Sequence, residues 1–215
     1  MALLPYYIKG ILEAGCDEAG RGPLAGSVFA AAVILPPEAA NQEWLMQTGL
    51  DKLNDSKQLN EHTRYELRPI IEQYALVWAV AEVTAEEIDR INILNASILG
   101  MQRALAQLNP QPEHIIVDGN KWKPYVAPDG LLETPARTVV KGDGKYLSIA
   151  AASILAKTYR DDYMLRLHNE YPQYGWAENK GYPTAAHYIA LQQYGPSPYH
   201  RMTFNLKLSE PSKLR

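Results

Sequence analysis

The sequence predicts an α/β fold in which a mixed β-sheet is flanked by helices and followed by a helical C-terminal appendage. Three observations favour this fold class. Short apolar segments that suit strands alternate with longer segments of helical periodicity. The chain has 215 residues, and its 47% hydrophobic and 21% charged content is typical of a globular protein. Finally, no repeat, low-complexity segment or linker divides it, so we expect a single domain over residues 1–215, with the appendage and tail beginning near residue 170.

The first half of the chain is predicted to contain three strands and two helices. The strands are apolar segments bounded by turn residues, at residues 11–16, 27–35 and 75–83. Asn60 is a helix-capping residue and predicts a helix over residues 61–74. Thr84 and Glu87 form a capping-box pattern that predicts one long helix as far as residue 108. Residues 38–55 show no clear periodicity, so we expect an irregular excursion there.

The second half of the chain is predicted to contain two strands and two helices. Residues 114–117 form a compact apolar segment, and a strand at residues 136–140 follows after a proline-containing loop. The helix over residues 147–169 begins with alanines that suit close packing on a sheet. A last helix over residues 185–194 is capped by a threonine and stopped by Gly-Pro. We expect the tail from residue 204 onward to be loosely held.

Two adjacent carboxylates lie at the end of the first predicted strand, in residues 17–26 with the sequence DEAGRGPLAG. Because neighbouring side chains of a flat strand point to opposite faces, Asp17 and Glu18 serve one site only if the strand ends or bends there. The glycines on either side of Arg21 permit a turn and let a ligand approach backbone N–H groups, while Arg21 offers donors to a phosphate. The stretch therefore predicts an acidic metal site beside an anion-binding turn. The alternative is a surface turn with a fortuitous acid pair.

Two further acids come directly after predicted strands. Asp118 follows the fourth strand, and Asp143 follows the fifth strand between two lysines. Ligands of open α/β sheets bind at the carboxyl ends of strands, although a simple Asp-Gly turn is the common alternative at Asp118. If the strands are neighbours, these acids converge with Asp17 and Glu18. No cluster of histidines or cysteines competes for a metal, and all-oxygen ligands favour Mg²⁺ or Mn²⁺.

The charge of the chain is unevenly distributed. Residues 1–136 carry a net charge of −8 and residues 137–215 a net charge of +5, within an overall charge of −3. An acidic part that holds cations and a basic part that holds phosphates are typical of a metal-dependent nuclease. The single cysteine, Cys16, cannot form an internal disulfide and is predicted to be inert packing in a reducing compartment. With no signal-peptide pattern and no apolar run long enough to span a bilayer, a cytoplasmic protein without a membrane partner is expected.

One face of the predicted alanine-rich helix carries three polar residues: Ser153, Lys157 and Arg160. Such a stripe can meet a phosphate backbone, although a solvated face is the commoner explanation. Lys157 can instead orient Asp143 or Glu18 from the helix. These possibilities stay open from the sequence alone.

Taken together and in order, these motifs resemble the signature set of bacterial ribonuclease HII. The matching segments are DEAGRGPLAG at 17–26, DSK at 55–57, VDG at 117–119, KGD at 141–143, residues 148–157 and GYPT at 181–184. The resemblance extends from about residue 10 to residue 204. It implies an RNase H-like fold and metal-dependent hydrolysis of RNA in RNA–DNA hybrids. It also implies incision on the 5′ side of a single ribonucleotide embedded in duplex DNA, leaving 3′-hydroxyl and 5′-phosphate ends.

The resemblance further implies roles for individual residues. The catalytic and metal-binding residues would be four carboxylates: Asp17, Glu18, Asp118 and Asp143. The substrate-binding residues would be Gly20, Arg21, Gly22, Lys57 and Tyr182. The Gly-Arg-Gly backbone would read the ribose 2′-OH, Tyr182 would lie under the sugar of the next nucleotide, and Lys57 would hold a phosphate. The cofactors would be two Mg²⁺ or Mn²⁺ ions, the partners an RNA–DNA hybrid or ribonucleotide-containing duplex DNA, and the acting species a monomer.

Two other functional classes remain as alternatives. A proofreading-type 3′→5′ exonuclease has the same number of acids. The first motif of such enzymes has an Asp-x-Glu pattern, whereas Asp17 and Glu18 are adjacent in this chain. A non-catalytic hybrid-binding protein would use the acids structurally. It is disfavoured because four converging carboxylates repel one another unless a cation lies among them.

Overall fold

A five-stranded mixed sheet forms the centre of the protein. The structure is a computed structural model that describes residues 3–128 and 130–208. The strands are β1 (Glu13–Ala19), β2 (Val28–Ile34), β3 (Val77–Val83), β4 (His114–Asp118) and β5 (Ala136–Val139). Their order across the sheet is β3-β2-β1-β4-β5. The pairs β1–β2 and β2–β3 are antiparallel, whereas β1–β4 and β4–β5 are parallel. The predicted mixed sheet is confirmed.

Helices cover both faces of this sheet. They are α1 (Gln42–Thr48), α2 (Glu61–Tyr74), α3 (Ala85–Ile91), α4 (Ile93–Leu105), α5 (Leu147–Glu170), α6 (Trp176–Asn179) and α7 (Ala185–Tyr194). Alternate residues of β2 pack on α4 on one face, and the residues between them pack on α2 and α5 on the other face. Every residue of β2 is therefore buried, which explains its unbroken apolar sequence. Among the helices of the described residues, none has the length and apolar character that a membrane span needs.

The long helix α5 lies unusually close to β1. A Cβ atom on Gly15 would come within 2.4 Å of the backbone N of Ile149, so only glycine permits this approach. The alanines of the first turns of α5, Ala150–Ala152, are fully buried against the sheet. This confirms the prediction that the alanine-rich helix packs on the sheet. The central strand that carries the first acid pair is thereby held against α5.

A separate hydrophobic cluster supports the predicted helical C-terminal appendage. Trp176 and Leu191 are buried there against Met164 at the end of α5 and against Leu24. Leu206 is also buried in this cluster, so the prediction of a loosely held tail from residue 204 is wrong as far as that residue, because an apolar side chain anchors it. The remainder of that predicted tail, residues 209–215, lies outside the described residues.

Two predictions for the first half of the chain are wrong. Residues 38–55 contain α1, which begins where the side chain of Asn41 accepts a hydrogen bond from the Glu43 N–H. The long helix predicted after Thr84 is broken at Asn92, which has a φ of +65°. Asn92 ends α3 and caps α4, because its side chain accepts a hydrogen bond from the Asn95 N–H. With its positive φ and a ψ of 162°, Asn92 lies outside the helical region, so two helices form instead of one.

Candidate active site

The four predicted acids lie at one edge of the sheet. Asp17 and Glu18 are near the carboxyl end of β1, Asp118 ends β4, and Asp143 lies in a short 3₁₀ turn after β5. Because β1, β4 and β5 are adjacent and parallel, their carboxyl ends meet at this edge. Asp17, Glu18 and Asp118 line one cavity of about 340 Å³. Asp143 is next to this cavity, since its carboxylate lies 3.4 Å from the Lys57 Nζ that also lines it.

The strand β1 continues through both adjacent acids. The prediction allowed the strand either to end or to bend at Asp17 and Glu18, and it does not end there. Asp17 pairs with Ala31 of β2, and Glu18 pairs with Ala30. The other neighbour of β1 stops earlier, because the pairing with β4 ends at Cys16. Glu18 consequently has an open edge beside it and lines both the 340 Å³ cavity and a neighbouring cavity of about 270 Å³. A missing neighbour, not the end of the strand, lets both acids reach one cavity.

Backbone N–H groups hold three of the four acids. The bonds are Asp17 Oδ1 with the Glu18 N–H at 2.7 Å, Asp118 Oδ1 with the Gly142 N–H at 2.6 Å and Asp143 Oδ1 with the Gly144 N–H at 3.0 Å. The bond from Gly142 ties the end of β4 to the turn that carries Asp143. The fourth acid, Glu18, accepts a hydrogen bond from Arg21 Nη1 at 3.3 Å. These bonds orient the carboxylates, and two of the four acids also have a cation partner, Glu18 in Arg21 and Asp143 in Lys57.

The acids repel one another in a buried environment. Burial raises the pKa of Asp17 well above its usual range, and the charges of Glu18 and Asp118 raise it further. Burial also raises the pKa of Glu18, although the charge of Arg21 opposes this shift. Burial raises the pKa of Asp143 as well, and the charge of Asp118 raises both pKa values further. A divalent cation among these oxygens would relieve the repulsion, so the donor set fits Mg²⁺ or Mn²⁺. In the structure as it stands, no three His, Cys, Asp or Glu side chains within residues 3–128 and 130–208 are placed so that they could hold one metal ion together.

These raised pKa values predict how stability depends on pH without divalent cations. The folded protein favours the protonated form of Asp17, Glu18 and Asp143, whereas unfolded carboxylic acids have pKa values of about 4. Their contribution to stability is therefore present at acid pH and is lost as the pH rises through the raised values. We expect the melting temperature in EDTA to fall over this interval, and to fall less in Asp17→Asn. Equal slopes for the two proteins would contradict the prediction.

In the predicted anion-binding turn, the neighbours of Gly20 require a glycine, whereas a side chain at Gly22 would meet only an ordinary contact. Gly20 has a φ of +102°, and a Cβ there would lie 2.1 Å from the Nε of Arg160. At Gly22, a Cβ would lie 3.6 Å from the ring of Tyr182, which is 42% exposed beside the same cavity. The structure thus brings all the predicted substrate-binding residues to the cavity that holds the acids: Gly20, Arg21, Gly22, Lys57 and Tyr182.

Two buried arginines support this turn, a role that was not predicted from the sequence. Arg201 is 0% exposed and donates to three carbonyl oxygens, those of Gly26 (2.9 Å), Arg21 (3.1 Å) and Gly20 (2.7 Å). Arg160 is 1% exposed and donates to those of Ser27 (3.1 Å), Ala25 (3.3 Å) and Lys180 (3.1 Å). In the described part of the chain, neither guanidinium has a carboxylate within 4.0 Å. Hydrogen bonds between distant residues leave no local pattern from which this role could have been found.

The polar stripe predicted on α5 is divided between different roles. Arg160 is buried under the turn and cannot meet a phosphate backbone. Lys157 does not orient Asp143 or Glu18, because its Nζ lies 2.6 Å and 2.7 Å from the two carboxylate oxygens of Asp161, one turn along the helix. Lys157 and Ser153 nevertheless line the 340 Å³ cavity.

Known proteins share the sequence family and the fold of this chain. A family model described as Ribonuclease HII matches residues 14–207. A ribonuclease HII of Phocaeicola vulgatus is 61% identical over 209 residues, covering 97% of this chain and 96% of that protein. Among solved structures, the ribonuclease H2 from Pyrococcus horikoshii OT3 has a TM-score of 0.71 at 29% identity, covering 90% of this chain and 94% of that one. The fold also matches Bst-RNase HIII in complex with Mn²⁺, with a TM-score of 0.67 at 18% identity over 91% of this chain and 68% of that one.

Proposed function

Because this chain belongs to the ribonuclease HII family, we propose that it cuts duplex DNA on the 5′ side of a single embedded ribonucleotide, as well as the RNA strand of RNA–DNA hybrids. The chain is a metal-dependent ribonuclease H, a hydrolase of phosphodiester bonds. The observation that carries the finer proposal is the shared cavity, in which Asp17, Glu18 and Asp118 adjoin the Gly20–Gly22 turn. The cut would leave 3′-hydroxyl and 5′-phosphate ends.

The acids are proposed to hold the metal cofactor. Two divalent ions, Mg²⁺ or Mn²⁺, would be held by Asp17, Glu18, Asp118 and Asp143, and when bound they supply Lewis-acid stabilisation of charge on the scissile phosphate. The bond from the Gly142 N–H keeps Asp118 at the cavity, as the bond from the Glu18 N–H keeps Asp17. The exposed ammonium of Lys57 beside Asp143 is proposed to bind a substrate phosphate as a point charge.

The backbone of the turn is proposed to read the ribose. The carbonyls of Gly20 and Arg21 accept hydrogen bonds from Arg201, inside the protein. In a trans peptide the N–H points opposite to the carbonyl, so the N–H groups of Arg21 and Gly22 point away from Arg201. Both residues line the cavity, where their N–H groups can donate to an acceptor that the substrate brings. The 2′-OH is the acceptor by which RNA differs from DNA.

We expect Tyr182→Ala to lower the rate of incision at a single ribonucleotide by about tenfold while leaving metal binding intact. The exposed ring lies beside Gly22 and offers a flat apolar face to the next sugar, and loss of such a stacking contact costs about 1–3 kcal/mol. Tyr182→Phe keeps the face and loses only the hydroxyl, so it should stay near the wild-type rate. Single-turnover kinetics on both variants tests this, and equal losses would assign the effect to the hydroxyl instead.

The proposed function is tested with labelled duplex DNA that carries one ribonucleotide, beside an all-DNA control, with and without Mg²⁺. A single Mg²⁺-dependent cut on the 5′ side of the ribonucleotide is the expected result. Equal cutting of the all-DNA duplex would refute reading of the 2′-OH, and no cut would refute the function. A closed circular duplex with one ribonucleotide has no ends, so cutting it separates an endonuclease from the exonuclease alternative.

A further inference from the structure

One wall of the 340 Å³ cavity is assigned neither to the metal nor to the substrate above, although Ser153 on this wall hydrogen-bonds the Asp17 carboxylate. It consists of Ser56, Arg64, Ser153 and Lys157, which we call the Arg64 corner. The hydroxyls of Ser56 and Ser153 are buried and lie 2.7 Å apart. Arg64 Nη1 donates to the carbonyl oxygen of Ser56 at 3.0 Å, so α2 is joined to the hydroxyl pair. Lys157 lies one turn beyond Ser153 on α5. Ser56, Arg64 and Ser153 are therefore joined by hydrogen bonds, and Lys157 lines the same cavity beside them.

The Arg64 corner carries more positive charge than its surroundings neutralise. Among the described residues, Arg64 has no carboxylate within 4.0 Å, and its Nε is buried without a hydrogen-bond partner. Lys157 has Asp161 as a partner, yet burial lowers its pKa and the charges of Arg160 and Arg64 lower it further. Two cations beside a solvent-filled cavity, one of them unpaired, favour binding of an anion.

The chemistry of the corner fits a phosphodiester. Arg64 Nη1 and two of the three Lys157 Nζ hydrogens already have partners, and the two serine hydroxyls bond to each other. Among the described residues, Arg64 Nη2 and the third Lys157 hydrogen stay available, and a guanidinium beside an ammonium matches the oxygens of one phosphate. The corner shares its cavity with Asp17, which would lie at the scissile phosphate. A phosphate in the corner would therefore belong to the same strand as the bond that is cut.

We propose that the Arg64 corner binds one non-scissile phosphodiester of the cleaved strand and so positions that strand over the acids. This proposal rests on the proposed function and adds a substrate subsite to it. The competing explanation is structural, because Arg64 also donates to the carbonyl of Leu59 and could merely hold the turn before α2. The test must therefore separate contact with the substrate from support of that turn.

The experiment replaces one phosphate at a time on the ribonucleotide-containing strand by a neutral methylphosphonate, the scissile phosphate excepted. Single-turnover kcat/KM is measured for wild type, for Arg64→Gln and for Arg166→Gln, a matched control because Arg166 is an exposed arginine of α5. Replacement slows the wild type at any phosphate that Lys57 holds, and we expect one further position at which it slows the wild type by about tenfold, the value of a charge-assisted hydrogen bond. Arg64→Gln should lose about tenfold on the unmodified strand and nothing further at that one position.

The proposal is overturned if Arg64→Gln cuts the unmodified strand at the wild-type rate. It is also overturned if, at every position, the methylphosphonate slows Arg64→Gln by the same factor as it slows the wild type. Arg166→Gln should behave as the wild type throughout. If circular dichroism shows that Arg64→Gln does not fold, Lys157→Gln is measured in the same way and decides by the same criteria. If the wild type does not cut the unmodified duplex, the proposed function is refuted and the subsite with it. This outcome differs from one in which the wild type cuts and only the subsite is refuted.

Discussion

Asp17→Asn is expected to lower cleavage of a ribonucleotide-containing duplex by at least about a thousandfold and to leave the protein folded. The carboxylate is 4% exposed, lines the cavity and has no cation partner of its own within 4.0 Å among the described residues. Its proposed contribution is charge for the divalent ions, and an amide supplies none. Metal-assisted stabilisation of phosphate charge is worth several kcal/mol, and each 1.4 kcal/mol is tenfold in rate.

The same substitution is expected to stabilise the protein when EDTA is present. Asparagine keeps an oxygen that accepts the hydrogen bond from the Glu18 N–H, but it removes one of the charges that repel Glu18 and Asp118. Cleavage kinetics and thermal melting on one preparation check both expectations together. Activity retained above about one per cent of the wild-type rate would refute the catalytic role of Asp17. Lower stability in EDTA would contradict the repulsion that we infer.

Arg201→Met is expected to lower the melting temperature by on the order of 10 °C and to weaken selection of ribonucleotides. The substitution leaves three buried carbonyls without their donor, at about 1–3 kcal/mol each, partly offset because a buried charge is removed as well. A loss of about 3 kcal/mol corresponds to such a shift for a chain of this size. The Gly20 and Arg21 peptides would no longer be held, so their N–H groups would lose their direction.

Two comparisons give this expectation its controls. Arg166→Met changes an exposed arginine and should leave the melting temperature unchanged. Arg201→Lys keeps the charge but not the fork of donors, so its stability should be intermediate and the ratio of cutting at ribonucleotide and all-DNA sites should still fall. An unchanged ratio in an Arg201→Lys protein that is folded would show that Arg201 serves stability alone.

The positions of the acids were predictable because they follow from local patterns. Asp118 comes directly after an apolar strand, and Asp17 and Glu18 precede a turn whose glycines are visible in the sequence. The parallel neighbours that bring these strand ends together are a consequence of the α/β order. The strand boundaries were less predictable: β1 runs on to Ala19, because pairing with β2, which no local pattern encodes, continues past the acids.

The other incorrect predictions also concern features that no local sequence pattern shows. Asn92 resembles an ordinary helix residue in the sequence, but its positive φ and its cap hydrogen bond from the Asn95 N–H divide α3 from α4. Arg160 shares a helix face with Lys157, but its guanidinium lies against carbonyls from more than 130 residues earlier in the chain. The roles of the acids and of the substrate-binding residues stay predictions, as do the monomeric state, the cytoplasmic location and the single domain over residues 1–215.

The tie between Arg201 and the turn has a consequence for the order in which the protein becomes competent during synthesis. Arg201 leaves the ribosome 181 residues after Gly20, whose carbonyl it holds. The sheet edge with Asp17 and Asp118 can gather before the C-terminal helices exist, but the turn beside it is fixed only when Arg201 has been made. A nascent or truncated chain would thus possess the acids without a fixed means of choosing a substrate. If the turn reads the ribose as proposed, selectivity would be the last property that the growing chain acquires.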